Sequence, residues 1–290
     1  MKWPSPWGVG FPGWHIECSA MSKKYLGERF DIHGGGMDLM FPHHEAEIAQ
    51  SNACCGAHHA SPANYWLHNN MITINGQKMG KSLGNFITLQ EFYSGQNSNL
   101  EQAYSPMTIR FYILQAQYRS TLDVSNSSLK AAQIAYRKLL NTAIVLTKLD
   151  YPSESIPLDE KLDAEILKTI SACTDGMDDD FNTGVLIGHL FTLSGWINSF
   201  YLGQKNSGSI SNSTFEAMKT TFLTFFYEVL GLVEENTSDG KQLVNALLEF
   251  YSEAKQAKQY DKVDKVRSIL KSQGIVVKDQ KTGVEWAYEV

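Results

Sequence analysis

One change of pattern constrains the fold of this chain more than any other feature. Up to about residue 118, short β-type runs rich in Gly, His and Trp alternate with a helical segment; from Ser105-Pro106 onward, apolar residues recur at three and four spacing. Arg29 to His33 and Tyr65 to His68 read as strands with a helix between them, the alternation of an α/β layer with a parallel sheet. The later segments, Leu129 to Leu149 and Leu158 to Ile170, read as a helical bundle. A third, amphipathic helix from about Gln242 to Ser272 is closed by Gly274 and followed by two short strands around Lys281-Thr282-Gly283. The expected organisation is an α/β part over residues 1–118, a helical bundle over 119–240 and a small C-terminal α+β module over 241–290.

Punctuation supports these divisions. In Met71 to Lys78, the Asn75-Gly76 pair sits between alternating apolar residues, a hairpin signal because both central positions of a type I′ turn need positive φ. Tyr151 to Pro157 and Asn206 to Ser213 are polar, small-residue breaks, and Asp180-Phe181-Asn182-Thr183 supplies N-caps for the next helix. With 290 residues, 43% of them hydrophobic, each part has enough apolar material for its own core.

Composition excludes several classes. No apolar run reaches the roughly 18–20 residues of a membrane span, and the N-terminus lacks the pattern of a signal peptide, so the expected location is the cytoplasm. The 4 cysteines, two of them adjacent at Cys54 and Cys55, do not form a disulfide framework. A net charge of −6 argues against nonspecific coating of nucleic acid but permits local basic faces. Lys255, Lys258, Lys262 and Lys265 form such a face if one helix carries them all, and Arg110, Arg119, Arg137 and Lys138 form a second, sparser one.

Two clusters carry chemistry. Cys18 supplies a thiol, and His43 and Glu47 fall one turn apart on a helix that begins after Pro42; thiolate, imidazole and carboxylate are donors that zinc accepts. His44, three residues before Glu47, is an equivalent geometric candidate. Three protein ligands leave a coordination position open. The strand end Gly34-Gly35-Gly36 suits close approach of backbone to a ligand above the sheet. The second cluster, Lys78-Met79-Gly80-Lys81-Ser82, places two ammonium groups on a hinged loop, an arrangement suited to charge on a triphosphate.

Lys78-Met79-Gly80-Lys81-Ser82 resembles the Lys-Met-Ser-Lys-Ser signature of class I aminoacyl-tRNA synthetases, with Gly80 in place of the middle serine. Ser5 to Gly8, Gly13 to Cys18, Phe30 to Leu39, Phe41 to Gln50 and Leu83 to Phe86 are together similar to cysteinyl-tRNA synthetases, and the similarity continues through Tyr118-Arg119-Ser120, Asp179 to Thr183 and Gly274 to Val277. The resemblance implies a partial Rossmann-like catalytic domain, an anticodon-binding helical bundle and a small C-terminal module. It implies one zinc ion on Cys18, His43 and Glu47, with Trp14, His15 and His33 near the substrate cysteine. It places Lys81 on ATP with Lys78 assisting, Gly34, Gly35, Gly36 and Asp38 in nucleotide binding, and magnesium alongside ATP.

The implied reaction is ATP-dependent formation of cysteinyl-adenylate followed by transfer to tRNA(Cys). Zinc-bound thiolate would distinguish cysteine from serine, which an apolar pocket rejects poorly. No His-Ile-Gly-His-type motif precedes Trp3, so the resemblance is to a C-terminal portion with an incomplete site. On that basis zinc affinity is expected to be weak, the isolated fragment inactive and the chain monomeric. Two alternatives belong to the same residues: a non-catalytic tRNA-binding remnant, and a related ligase joining cysteine to an amino sugar.

Overall fold

The computed structural model describes residues 2–55, 61–152, 156–235, 238–280 and 283–289. The expected break at Ser153 to Ser155 and the Lys281-Thr282 turn lie outside the described residues. The chain divides into two compact units, one of Met1–Gly80 with Tyr118–Asp123, the other of Lys81–Gln117 with Val124–Val290.

The first unit opens with an antiparallel hairpin of β1 (Trp3–Ser5) and β2 (Gly8–Gly10), followed by α1 (His15–Leu26). Strand β3 (Phe30–Gly36) leads through short turns into α2 (Glu45–Cys55), and β4 (Ala63–Asn69) returns parallel to β3, with His33 opposite Trp66 and Gly35 opposite His68. This β-α-β crossover is the expected alternation, with two parallel strands. Strands β5 (Ile72–Ile74) and β6 (Gln77–Lys78) form the expected hairpin, in which Asn75 and Gly76 take φ of 49° and 79°. Strand β7 (Leu122–Val124) pairs with β5 on its other edge.

The second unit is helical. It contains α3 (Leu89–Ser94), α4 (Pro106–Leu114), α5 (Asn126–Leu146), α6 (Glu160–Asp178), α7 (Thr183–Tyr201) and α8 (Asn212–Leu223). Caps set the starts: Thr88 and Glu91 form a capping box on α3, Ser105 caps α4 ahead of Pro106, and Asn182 accepts from the Val185 amide at the head of α7. The three-and-four spacing becomes a core in which Leu129, Leu139, Leu146, Ile166, Leu186, Leu190, Phe215 and Phe222 are fully buried. Polar groups inside it are satisfied by one another: the Thr142 and Ser194 hydroxyls lie 2.7 Å apart, and Asn198 donates to both.

The C-terminal module consists of α9 (Ser238–Gln256), α10 (Tyr260–Ser272) and an antiparallel pair, β8 (Ile275–Gln280) and β9 (Gly283–Tyr288). Val244, Leu248, Tyr251, Val263, Val266, Leu270 and Ile275 close a small core of its own. Asn141 on α5 bonds both the carbonyl and the amide of Tyr288, and Glu285 meets Lys148 and Tyr201, so β9 is tied to the bundle.

Here the structure corrects one expectation. The single helix from Gln242 to Ser272 is two helices, broken where Lys258 adopts a left-handed φ of 56° and the Gln259 amide reaches back to the Ala254 carbonyl. No glycine or proline marks the turn, and apolar spacing resumes beyond it, so the break left no signal in the pattern. The four-lysine face is divided with it: Lys255 lies on α9 and pairs with Asp279 at 2.8 Å, while Lys262 and Lys265 lie on α10. Gly274 closes α10 as expected, with φ of 69°, and a Cβ there would come within 3.0 Å of Arg137.

Candidate active site

The first unit gathers its chemistry where three element ends meet. Cys18 lies in the first turns of α1, His43 and His44 lie in the turn before α2, and Glu47 lies in the first turn of α2. His43, His44 and Glu47 are all at least 96% buried, their exposures being 4%, 3% and 3%. Ligand atoms of Cys18, His43 and Glu47 lie within 4.8 Å of one another, as do those of His33, His44 and Glu47. The two histidines therefore do not compete for one place. His43 Nε2 faces Glu47 Oε1 at 3.7 Å, whereas His33 Nε2 and His44 Nε2 stand 3.0 and 4.0 Å from Glu47 Oε2.

Glu47 Oε2 is buried and accepts no well-directed hydrogen bond, although His33 is close. A buried carboxylate oxygen without a directed donor is costly unless a cation serves it. That oxygen faces His33 and His44; on the side of Oε1, where His43 stands, Glu47 shares one ligand sphere with His43 and Cys18, and a thiol, an imidazole and a carboxylate are what zinc takes up. The Cys18 thiol is held above its ordinary pKa, first by burial and then by the charge of Glu47, so a bound cation would act against both causes.

Neighbouring rings fix these donors. His15 Nδ1 and His43 Nδ1 are 2.5 Å apart, which occupies one nitrogen of His43 and leaves Nε2 toward Glu47. The Trp14 ring stacks on His43 with centroids 3.5 Å apart while keeping half its own surface exposed. His44 Nδ1 pairs with His68 Nε2 at 2.8 Å, and burial, followed by the charges of His33, His68 and His43, lowers the His44 pKa to about 4. A neutral imidazole is thereby maintained at physiological pH.

His68 and Trp66 belong to this cluster and escape the sequence reading, which treats them only as strand residues. Their signal is the period of two in β4 at the level of the glycine-rich end of β3. The three glycines differ in use. A Cβ on Gly35 would lie 2.8 Å from the His44 ring, one on Gly36 would lie 2.5 Å from the Asp38 carboxylate, and one on Gly34 would meet Leu67 O at an ordinary 3.6 Å.

A cavity of about 250 Å³ opens beside this cluster, lined among others by Gly36, Asp38, Asn69, Asn70 and Lys78. Lys78 ends β6 and so reaches a space that also touches the glycine-rich strand end. Lys81 begins the second unit, in a one-turn helix with its ammonium 5.4 Å from the centre of the Phe86 ring.

Comparison with known proteins agrees with this architecture. Residues 1–134 match the family described as the tRNA synthetases class I (C) catalytic domain, and residues 173–234 match the DALR domain. Among solved structures, the LeuRS of Agrobacterium radiobacter K84, in a ternary complex with tRNA and LeuAMS, shares the fold over 79% of this chain and 33% of its own, with a TM-score of 0.50 and 15% identity. The fold and the first of these matches identify residues 1–134 as a class I tRNA synthetase catalytic domain.

Within that class the relatives are specific. The cysteine–tRNA ligase of Cytophaga hutchinsonii is 61% identical over 289 residues, covering 100% of this chain and 58% of that protein. Those of Bacteroides fragilis and Deinococcus radiodurans are 50% and 42% identical, over 57% and 56% of their lengths. Over its whole length the chain is similar to these cysteine–tRNA ligases, and it spans a little over half the length of the curated relatives it matches.

Proposed function

We propose that this chain carries the cysteine-selecting part of a cysteine–tRNA ligase, which forms cysteinyl-adenylate from cysteine and ATP and passes the cysteine to tRNA(Cys). The observation that carries the proposal is the Cys18, His43 and Glu47 set, a half-buried thiol beside a buried imidazole and a buried carboxylate with ligand atoms within 4.8 Å of one another. Those three residues would hold zinc. Bound zinc supplies a soft Lewis acid that favours a thiolate over a hydroxyl.

The remaining residues take their roles from position. Trp14 and His15 orient His43 and wall the substrate side, and His33 faces the same carboxylate. Lys78, Gly36 and Asp38 line the cavity proposed for the nucleotide, with Gly34 and Gly35 shaping the strand end beneath it, and Lys81 is assigned to the triphosphate with magnesium. In this division residues 1–118 are catalytic, while the bundle at 119–240 and the module at 241–290 meet tRNA. Residues 81–117 then serve the catalytic part although they pack with the helices. The protein is proposed to work as a cytoplasmic monomer, and no helix among the described residues is long and apolar enough to cross a membrane.

Cysteine binding to the zinc-loaded chain tests this. Titration should show a preference for cysteine over serine well beyond the roughly 10–200-fold that an apolar pocket gives for a one-group difference. Equal binding of the two amino acids would sink the proposal.

A further inference from the structure

The two-residue turn at Asn75-Gly76 leaves the Gly76 amide without a partner inside its own hairpin, since the strand pairs on either side are Ile74 with Gln77 and Thr73 with Lys78. A residue remote in sequence supplies that partner. Asp123 on β7 accepts from Gly76 N and from Thr73 Oγ1, both at 2.6 Å and both at the same carboxylate oxygen. These hydrogen bonds, Thr73 first, hold the Asp123 carboxyl below its ordinary pKa. One acceptor thus grips the hairpin at its tip and at its base.

The base residue Thr73 stands directly opposite Lys78. The Met79 amide then bonds back to Ile72 O at 3.2 Å, so the strand that presents Lys78 is fixed from β5, and β5 is fixed from β7. Lys78 opens onto the 250 Å³ cavity that also touches Gly36 and Asp38. Asp123 itself is exposed, so its hydrogen bonds add little to global folding and act locally. A three-residue strand followed by a two-residue one would otherwise be a weakly held support for a cation that must meet phosphate.

We propose that Asp123 is a positioning residue for the lysine loop: it clamps the Asn75-Gly76 turn so that Lys78 is presented to the phosphates of ATP. The inference rests on the proposed nucleotide role of Lys78. Asp123 touches no substrate and acts through Thr73 and Gly76.

The test is ATP binding to the zinc-loaded 290-residue chain, measured by calorimetry with magnesium, alongside hydrogen exchange of the 71–80 segment. Asp123→Ala should weaken ATP binding by roughly fivefold to tenfold and speed exchange at Gly76 to Met79, as loss of two modest hydrogen bonds implies. Asp123→Asn keeps the acceptor oxygen and should stay within about twofold of the parent, and adding Asp123→Ala to Lys78→Ala should cost little more than Lys78→Ala alone. Three results would overturn the inference: unchanged ATP affinity in Asp123→Ala while Lys78→Ala weakens binding, an Asn variant as impaired as Ala, or unaltered exchange of the turn. A Lys78→Ala variant that binds ATP like the parent refutes the nucleotide role of the loop, and with it this role for Asp123, whatever the exchange data show.

Discussion

Replacing Gly35 by alanine adds one methyl group at a place the structure has already filled. The new Cβ would stand 2.8 and 2.9 Å from two atoms of the His44 ring and 3.1 Å from Leu39 Cδ1. Ordinary carbon contacts lie near 3.6 Å, so the ring must retreat by roughly 0.8 Å. It has nowhere to go: His44 is 3% exposed, pairs with His68 at 2.8 Å, and has His33 and Trp66 at ring distances of 4.9 and 5.0 Å. Overpacking of this kind costs about 1–3 kcal/mol, and the entropic gain of removing a glycine returns about 0.4–1 kcal/mol. The net expectation is a loss near 1.4 kcal/mol, a factor of about ten in the opening equilibrium.

Hydrogen exchange followed by mass spectrometry reads that factor locally. In Gly35→Ala, amides of β3 and β4 should exchange about tenfold faster, while those of α5 and α7 stay as they are. Gly34→Ala is the control, because its Cβ would meet only Leu67 O at 3.6 Å, and it should match the parent or gain slightly in protection. Equal behaviour of the two variants would refute the claim that the glycine-rich strand end is shaped by the histidine cluster.

Other expectations follow from the same structure. Phe222→Ala removes a fully buried ring on α8 and should cost about 3–5 kcal/mol in urea unfolding of the helical unit. Docking of the C-terminal module should depend on pH through Glu285 and Tyr201. The hydrogen bond from Tyr201 lowers the Glu285 pKa below 4.5, so its contribution is present above that value and is lost as pH falls through the folded pKa. Burial, and then Glu285, raises Tyr201 from 10.0 to about 12, so its contribution is full below pH 10 and is lost as pH rises toward 12. The urea midpoint should therefore be flat between those limits, and Glu285→Gln should flatten its acid limb. Zinc held by three protein donors should leave on dialysis against a strong chelator; stoichiometric zinc surviving that treatment would contradict the expected weak site.

Much of this architecture is legible in the residues because local chemistry and fold agree. Asn75-Gly76 demands positive φ twice and obtains it, and the i, i+4 spacing of His43 and Glu47 survives as a helical pair facing Cys18. What escapes the sequence reading depends on neighbours distant in the chain. Whether His43 or His44 faces Cys18 is decided by how the turn before α2 sits against β3, and His68 joins only because β4 lies parallel at that register. The α9–α10 break escapes for the opposite reason: Lys258 takes a conformation that glycine or asparagine ordinarily signals. Gly35 reads as room for a ligand, and its space holds His44 instead.

The central claim is that Cys18, His43 and Glu47 share one metal ion, and cobalt(II) substitution tests it most directly, since a thiolate bound to cobalt gives a charge-transfer band. Titration of the chain should develop that band to one equivalent, lose it in Cys18→Ser, and keep it in Cys54→Ser, whose thiol is exposed beside Lys23. A band that persists in Cys18→Ser, or that disappears with Cys54→Ser, would contradict the account.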